Sequence, residues 1–211
     1  MKNKVELLGM YGGDQTIAMS AWTSTSREMT PEKIDRIPKL LKMLAEGSDG
    51  NSHGTPFEKS TIHFLVTTDI ASHIHLLKHR IGVSINAESA RYKEIKEDKM
   101  YIPEDWPEVW QNTLEDYTNK GMKLYHNCIK DLHENYGVDK KRAKESARFF
   151  RPYNTQITAD ISFNFRSFMH FIQLRNAPSA QKEIRDIANE MLQIVKNDGR
   201  FKHSLKAFGI E

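Results

Sequence analysis

The stretch TQITADISFNFRSFMHFIQLR, residues 155–175, changes its hydrophobic period halfway along. As far as Phe165 it alternates: Ile157, Ala159, Ile161, Phe163 and Phe165 fall on one side of an extended chain, with Thr158, Asp160, Ser162 and Asn164 on the other. A period of two is that of a strand with one buried face. From Arg166 onward the spacing is helical, with Arg166, His170 and Gln173 on one face and Phe168, Met169, Phe171 and Ile172 on the rest. A strand running straight into a helix makes the fold a mixed one.

The flanking sequence repeats this mixture without a regular βαβ alternation. VELLGMY reads as a short strand, followed by Gly12-Gly13-Asp14 and a helix starting near Gln15. Thr30-Pro31-Glu32 is a helix start, with a capping hydroxyl, a first-turn proline and an early acid, and Gly47 is its stop. EGSDGNSHGTP then reads as a loop. STIHFLVT alternates Ile62, Phe64 and Val66 on one face, and Asp69 can cap a helix burying Ile70, Ile74 and Leu77. Trp110, Leu114, Tyr117, Gly121, Leu124, Cys128 and Leu132 recur as the apolar stripe of a long helix closed by Gly137. Asp139 to Phe150 forms another helix, stopped before Pro152, and Ser179 opens a last one. The expected fold is α+β with a central antiparallel sheet flanked by helices, in a single domain over residues 1–211.

Composition narrows the function. With 28% charged residues and a mean hydropathy of −0.63, no apolar run approaches the ~20 residues of a membrane span. The opening MKNKVELLGMYGG lacks the apolar core and cleavage site of a secretory signal, so a cytoplasmic location is expected and no membrane partner. A net charge of +3 is compatible with anionic ligands and does not point to nucleic acid. The one cysteine, Cys128, excludes an intrachain disulfide and a cysteine metal cluster, and its place on the apolar stripe makes it a structural thiol.

Residues 76–92, LLKHRIGVSINAESARY, concentrate the chemistry. Lys78-His79-Arg80 closes a helix where the macrodipole favours cations, which alone explains it. Yet Ser84, Asn86, Ser89 and Arg91 follow, and arginine with serine is what phosphate or carboxylate recognition needs. There is no phosphate-loop or dinucleotide glycine motif. His75 and His79, four apart, have the spacing of zinc ligands but no third partner, so no metal is assigned. Arg175 falls about 180° from the Arg166/His170 face, towards the apolar side. It cannot give up its charge, so it either pairs with a carboxylate such as Asp160 or Glu183, or holds an anion.

These residues carry a resemblance. KHRIGVSINAESARY, 78–92, resembles the signature RHRxxSxNExSxRY of the flavin-dependent thymidylate synthases, the ThyX family. HGTPFE, from His53 to Glu58, looks like that family's HxTPFEH loop. NFRSFMHFIQLRNAPSAQKEIR, from Asn164 to Arg185, resembles its NLRSLxxFLxLRxxxxAQxEIR segment. Ser24 and Arg148 also fall where family counterparts do. Lys78 stands in place of the signature's first arginine, one extra residue precedes Ser84, and Glu88 comes one place late. His75 stands where glutamine is common, and Ser179 where histidine is.

The resemblance implies a homotetramer of α/β fold with FAD at its interfaces. It implies methylation of dUMP to dTMP, with methylenetetrahydrofolate as carbon donor and NADPH as reductant. Residue by residue, Ser24, His53, Thr55, Lys78, His79, Arg80, Glu88, Asn164, Arg166 and His170 would contact FAD. His75, Lys78, Glu88, Ser89, Arg91, Arg148 and Arg175 would contact dUMP. Arg175 would be the catalytic cation, stabilising charge on the activated uracil without a cysteine nucleophile. Two alternatives stay open: a relative that installs another C5 group such as hydroxymethyl, and a non-catalytic flavin- or nucleotide-binding protein.

Overall fold

A computed structural model describes residues 1–47, 52–91, 94–95 and 99–210. Part of the loop expected around residues 46–56, and Tyr92 of the signature, lie outside them. Four strands form one antiparallel sheet in the order β1-β2-β4-β3: β1 (Lys4–Tyr11), β2 (Thr61–Asp69), β3 (Val83–Ala87) and β4 (Gln156–Asn164). The strand read from residues 157–165 is therefore central. Its Ala159, Ile161 and Phe163 are buried, as is Phe165 just beyond it. The register is fixed at both ends of β4: Phe165 N–H donates to Ser60 on the β2 side, and Asn164 N–H to Gly82 on the β3 side, both at 2.9 Å. Further along, Ile70 donates to Thr155 at 3.1 Å and Glu88 to Thr158 at 2.9 Å. A one-residue slip would turn the phenylalanines out to water.

The strand β3 was not expected from the sequence, which assigns residues 83–87 to no element. On this edge strand Ser84 and Asn86 are exposed while Val83, Ile85 and Ala87 are half-buried, so five residues carry too weak an alternation to stand out. Gly82 makes the turn before it possible. Its φ is +64°, and a Cβ there would lie 2.2 Å from Asn164 Nδ2 and 2.4 Å from Ser167 Oγ.

The chain divides into two compact units, each of several segments. One comprises Met1–Lys4, Val66–Lys78 and Asn86–Ala159. Here Asp69 caps α3 (Ile70–Leu76) by accepting from Ser72 N–H at 2.7 Å. The helix buries Ser72, His73 and Leu76, while Ile74 and Leu77 are exposed, so the expected buried side is corrected. Burial of a histidine and a serine made the inner face look polar in sequence. In the same unit α4 (Glu108–Glu134) packs on α5 (Lys140–Ala147), and Met122, Tyr125, Ile129 and Ala147 form the core. The expected α4 stripe is also corrected: Trp110, Tyr117 and Leu124 are exposed, and the buried face is Thr118, Gly121, Met122, Tyr125 and Ile129. Thr118 and Tyr125 disguise that face, and their hydroxyls are satisfied by Leu114 and Asn154 and by Ile95 N–H. Cys128 is half-buried and packs against this core.

The other unit comprises Val5–Leu65, His79–Ile85 and Asp160–Glu211. It holds α1 (Asp14–Ala21), α2 (Pro31–Glu46), α6 (Phe165–Arg175), α7 (Lys182–Asp198) and α8 (Lys202–Ala207). Thr30 caps α2 and Gly47, at φ 77°, ends it, as expected. The last long helix starts at Lys182 rather than Ser179, with Gln181 at its N-cap. The core is aromatic, with Phe165 stacked on Phe201 at 4.5 Å and Phe163 against Phe168 and Phe171. Each buried ring contributes on the order of 2–3 kcal/mol from apolar area alone.

Candidate active site

The residues singled out in sequence form two groups, one in each unit. The first is organised by α6. Asn164 ends β4 and caps the helix, its Oδ1 accepting from Ser167 N–H at 2.8 Å. Ser167 Oγ donates to the Ile81 carbonyl at 2.7 Å, which holds the turn before β3 against the start of α6. That turn brings His79 to the helix. The His79 ring meets Phe171 edge-on at 5.0 Å and His170 at 6.3 Å. Arg175 Nε donates to His79 Nε2 at 3.0 Å.

Arg175 is half-buried, and the two carboxylates proposed as partners are engaged elsewhere: Asp160 with His63, and Glu183 with Gln181 at 2.8 Å. In the first turn of α6, Arg166 pairs with Glu58 at 2.8 Å. The backbone of Gly54 lies against this guanidinium, so that a Cβ there would be 2.5 Å from Arg166 Nε. His53 and Thr55 flank Gly54 and are exposed, as are Arg80 and His170. Ser24, whose Oγ donates to Ala21, does not join this group among the described contacts.

The second group surrounds a cavity of about 350 Å³ lined by Glu88, Ser89 and Arg148, with Arg151 beside them. Glu88 borders β4 twice over: its N–H donates to the Thr158 carbonyl and its Oε2 accepts from Thr158 N–H, both at 2.9 Å. Ser89 Oγ accepts from Arg91 N–H at 3.4 Å. Arg91 Nε donates to Glu145 at 2.9 Å, and this bond above all holds the Glu145 carboxyl below its usual range. His75 and Lys78 do not line the cavity. α3 ends at Leu76, so His75 and His79 do not share a helical face. Among the described residues no three or more His, Cys, Asp or Glu side chains are grouped to hold a metal ion.

Sequence reading missed Glu58 as a partner, Glu145, and Arg151. Glu58 and Glu145 carry a signal only in three dimensions, since each pairs with an arginine more than fifty residues away. Arg151 had a local one: it stands three residues after Arg148 and just before Pro152. A cavity of about 640 Å³ between Gly12-Gly13, α2 and His203 contains none of the expected residues. No helix among the described residues is long and apolar enough to cross a membrane.

Comparison with known proteins agrees with the resemblance. The family model described as thymidylate synthase complementing protein (Thy1) matches residues 6–198. A flavin-dependent thymidylate synthase of Pseudothermotoga lettingae is 31% identical over 195 residues, covering 92% of this chain and 85% of the relative. One of Thermosipho melanesiensis is 31% identical over 209 residues, covering 92% and 86%. One of Streptomyces avermitilis is 27% identical over 214 residues, covering 89% and 83%. With its motifs in order and its length matched almost throughout, the chain belongs to the flavin-dependent thymidylate synthase (ThyX) family of enzymes.

Proposed function

We propose that this enzyme converts dUMP to dTMP with FAD, taking its carbon from methylenetetrahydrofolate and its reducing power from NADPH. The observation that carries the reading is the α6 group, where a guanidinium, two imidazoles and a second guanidinium are set along one helix by the β4 and Gly82 turns. This donor set fits a flavin and its pyrophosphate. Cations and imidazoles are exposed or half-buried around it, and Gly54 leaves Arg166 no room for a side chain beneath it. His53, Thr55, His79, Arg80, Asn164, Arg166 and His170 would hold the cofactor, with Ser24, Lys78 and Glu88 assigned by similarity. When bound, the flavin supplies hydride transfer.

The chain's own residues do the rest. Arg175 keeps its charge at every working pH and is oriented by His79, so it suits stabilisation of negative charge on the uracil ring. Ser89 and Arg148, which line one cavity, hold the phosphate of dUMP, with Arg91 assigned to it, and His75, Lys78 and Glu88 to the substrate's edges, by similarity. A cysteine adduct is not part of this scheme, because Cys128 packs against the α4 core. The homotetramer implied by similarity is supported by the exposed Trp110, Tyr117 and Leu124 on α4, which leave apolar area to cover. The enzyme is assigned to the cytoplasm as one domain over residues 1–211.

The test is anaerobic turnover of dUMP with NADPH and methylenetetrahydrofolate, followed by mass analysis of the nucleotide. A product heavier by one methyl group is expected. A hydroxymethyl product would identify a relative with another C5 chemistry, and unchanged dUMP a binding protein.

A further inference from the structure

Arg148 opens a single 3-10 turn, Arg148–Phe150, and Arg151 caps it, its N–H donating to the Arg148 carbonyl at 3.1 Å. Such a turn has three residues per revolution, so side chains at i and i+3 eclipse. Both arginines consequently line the same cavity beside Ser89 and Glu88. Pro152 holds Arg151 in extended backbone at φ −75°, ψ 119°. Gly121 lets α4 close on the turn from behind, since a Cβ there would lie 2.8 Å from both the Phe150 carbonyl and the Pro152 ring. Arg151 is half-buried, and its Nη2 donates to the Gln156 carbonyl at 3.2 Å, which sets the plane of the fork. Arg91, the other arginine expected at the phosphate, does not line this cavity and has its Nε on Glu145.

We propose that Arg151 is a phosphate-binding residue, the second guanidinium of a pair with Arg148 that grips the 5′-phosphate of the nucleotide. The identity of the nucleotide rests on the function proposed above; the two-arginine phosphate site does not. A guanidinium fork matches phosphate oxygens two at a time and cannot lose its proton, so a pair three residues apart suits a dianion.

Two experiments on the FAD-loaded protein test this. In the wild type, phenylglyoxal modification is mapped by mass spectrometry with inorganic phosphate, dUMP or deoxyuridine present. Phosphate and dUMP are expected to protect Arg148 and Arg151 together, and deoxyuridine neither; protection of Arg148 alone, or of neither by phosphate, overturns the proposal. In Arg151→Met, the dissociation constants for dUMP and phosphate are expected to rise about 10–100-fold, with flavin content and melting temperature kept and Arg151→Lys recovering part of the loss. A lowered melting temperature with unchanged phosphate affinity would make Arg151 a structural clamp on Gln156 and overturn the proposal. Protection of both arginines by phosphate, with no binding of dUMP, would leave the site standing and remove the nucleotide reading.

Discussion

Arg175 is oriented by a neutral imidazole: its Nε–H donates to Nε2 of His79 at 3.0 Å. A nitrogen that accepts a hydrogen bond carries no proton, so the ring proton of His79 is on Nδ1. Unlike a carboxylate, an imidazole in this state fixes the direction of the guanidinium without cancelling its charge. Phe171, edge-on to His79 at 5.0 Å, keeps the ring in place. The relationship joins residues 96 positions apart, and the Gly82 turn makes it possible.

Arg175→Ala is expected to lower kcat for dTMP formation by about 100-fold or more, the scale of removing one preorganised charge-stabilising donor. The flavin absorbance of the purified protein should remain. Arg175→Lys should restore little, because a point charge lacks the donor geometry that His79 orients. Near-normal turnover in either variant would take Arg175 out of the mechanism.

Gly54→Ala tests the flavin assignment of Arg166 without touching the arginine. Gly54 has an ordinary φ of −73°, so the backbone accepts alanine, but the new Cβ would lie 2.5 Å from Arg166 Nε. The guanidinium must shift and its pair with Glu58 at 2.8 Å opens. FAD affinity, read by fluorescence titration of apoprotein, should fall roughly tenfold, in keeping with one lost hydrogen bond to a charged group. Melting temperature should change little, since exposed ion pairs are worth about 0–1 kcal/mol.

His73 should make stability depend on pH near neutrality. Only 6% exposed, it has its pKa lowered from the ordinary 6.5 by burial, which disfavours the charged ring. The unfolded chain therefore takes up this proton first. Stability is complete above about pH 7 and falls as pH drops through 6.5, by at most about 1.4 kcal/mol per pH unit, until the folded-state pKa is reached. Glu145 and Asp198, lowered by hydrogen bonds from Arg91 and Arg200, lose their contribution only in the more acid carboxylate range. Urea unfolding between pH 7.5 and 5.5 should show the slope, and His73→Gln should flatten it; an equal slope in that variant would assign it elsewhere.

Cys128→Ser should leave dTMP formation within about twofold of wild type. The thiol is half-buried against Met122, Tyr125, Ile129 and Ala147, so its work is packing. Loss of turnover with flavin and fold intact would return a cysteine nucleophile to consideration.

Sequence by itself determined the elements whose signals are local. The alternation of residues 157–165 made the central strand, because a period of two holds wherever one face is buried. Thr30 and Asp69 caps, and the Gly47 stop, placed helix ends to within a residue, because caps answer the unpaired backbone groups at helix ends next to them in the chain. The roles expected of the signature residues came from the resemblance to the family, because a cationic run such as Lys78-His79-Arg80 suits a helix end equally well. Tertiary structure decided which face each helix buries. On α3 and α4 the inner faces carry His73, Ser72, Thr118 and Tyr125, and polar groups enter a core only when packing and partners elsewhere satisfy or neutralise them. It also decided the partners: His79 for Arg175, Glu58 for Arg166, Glu145 for Arg91. Those are contacts between residues distant in the chain, set by strand register and by the turn at Gly82, and no local pattern encodes them.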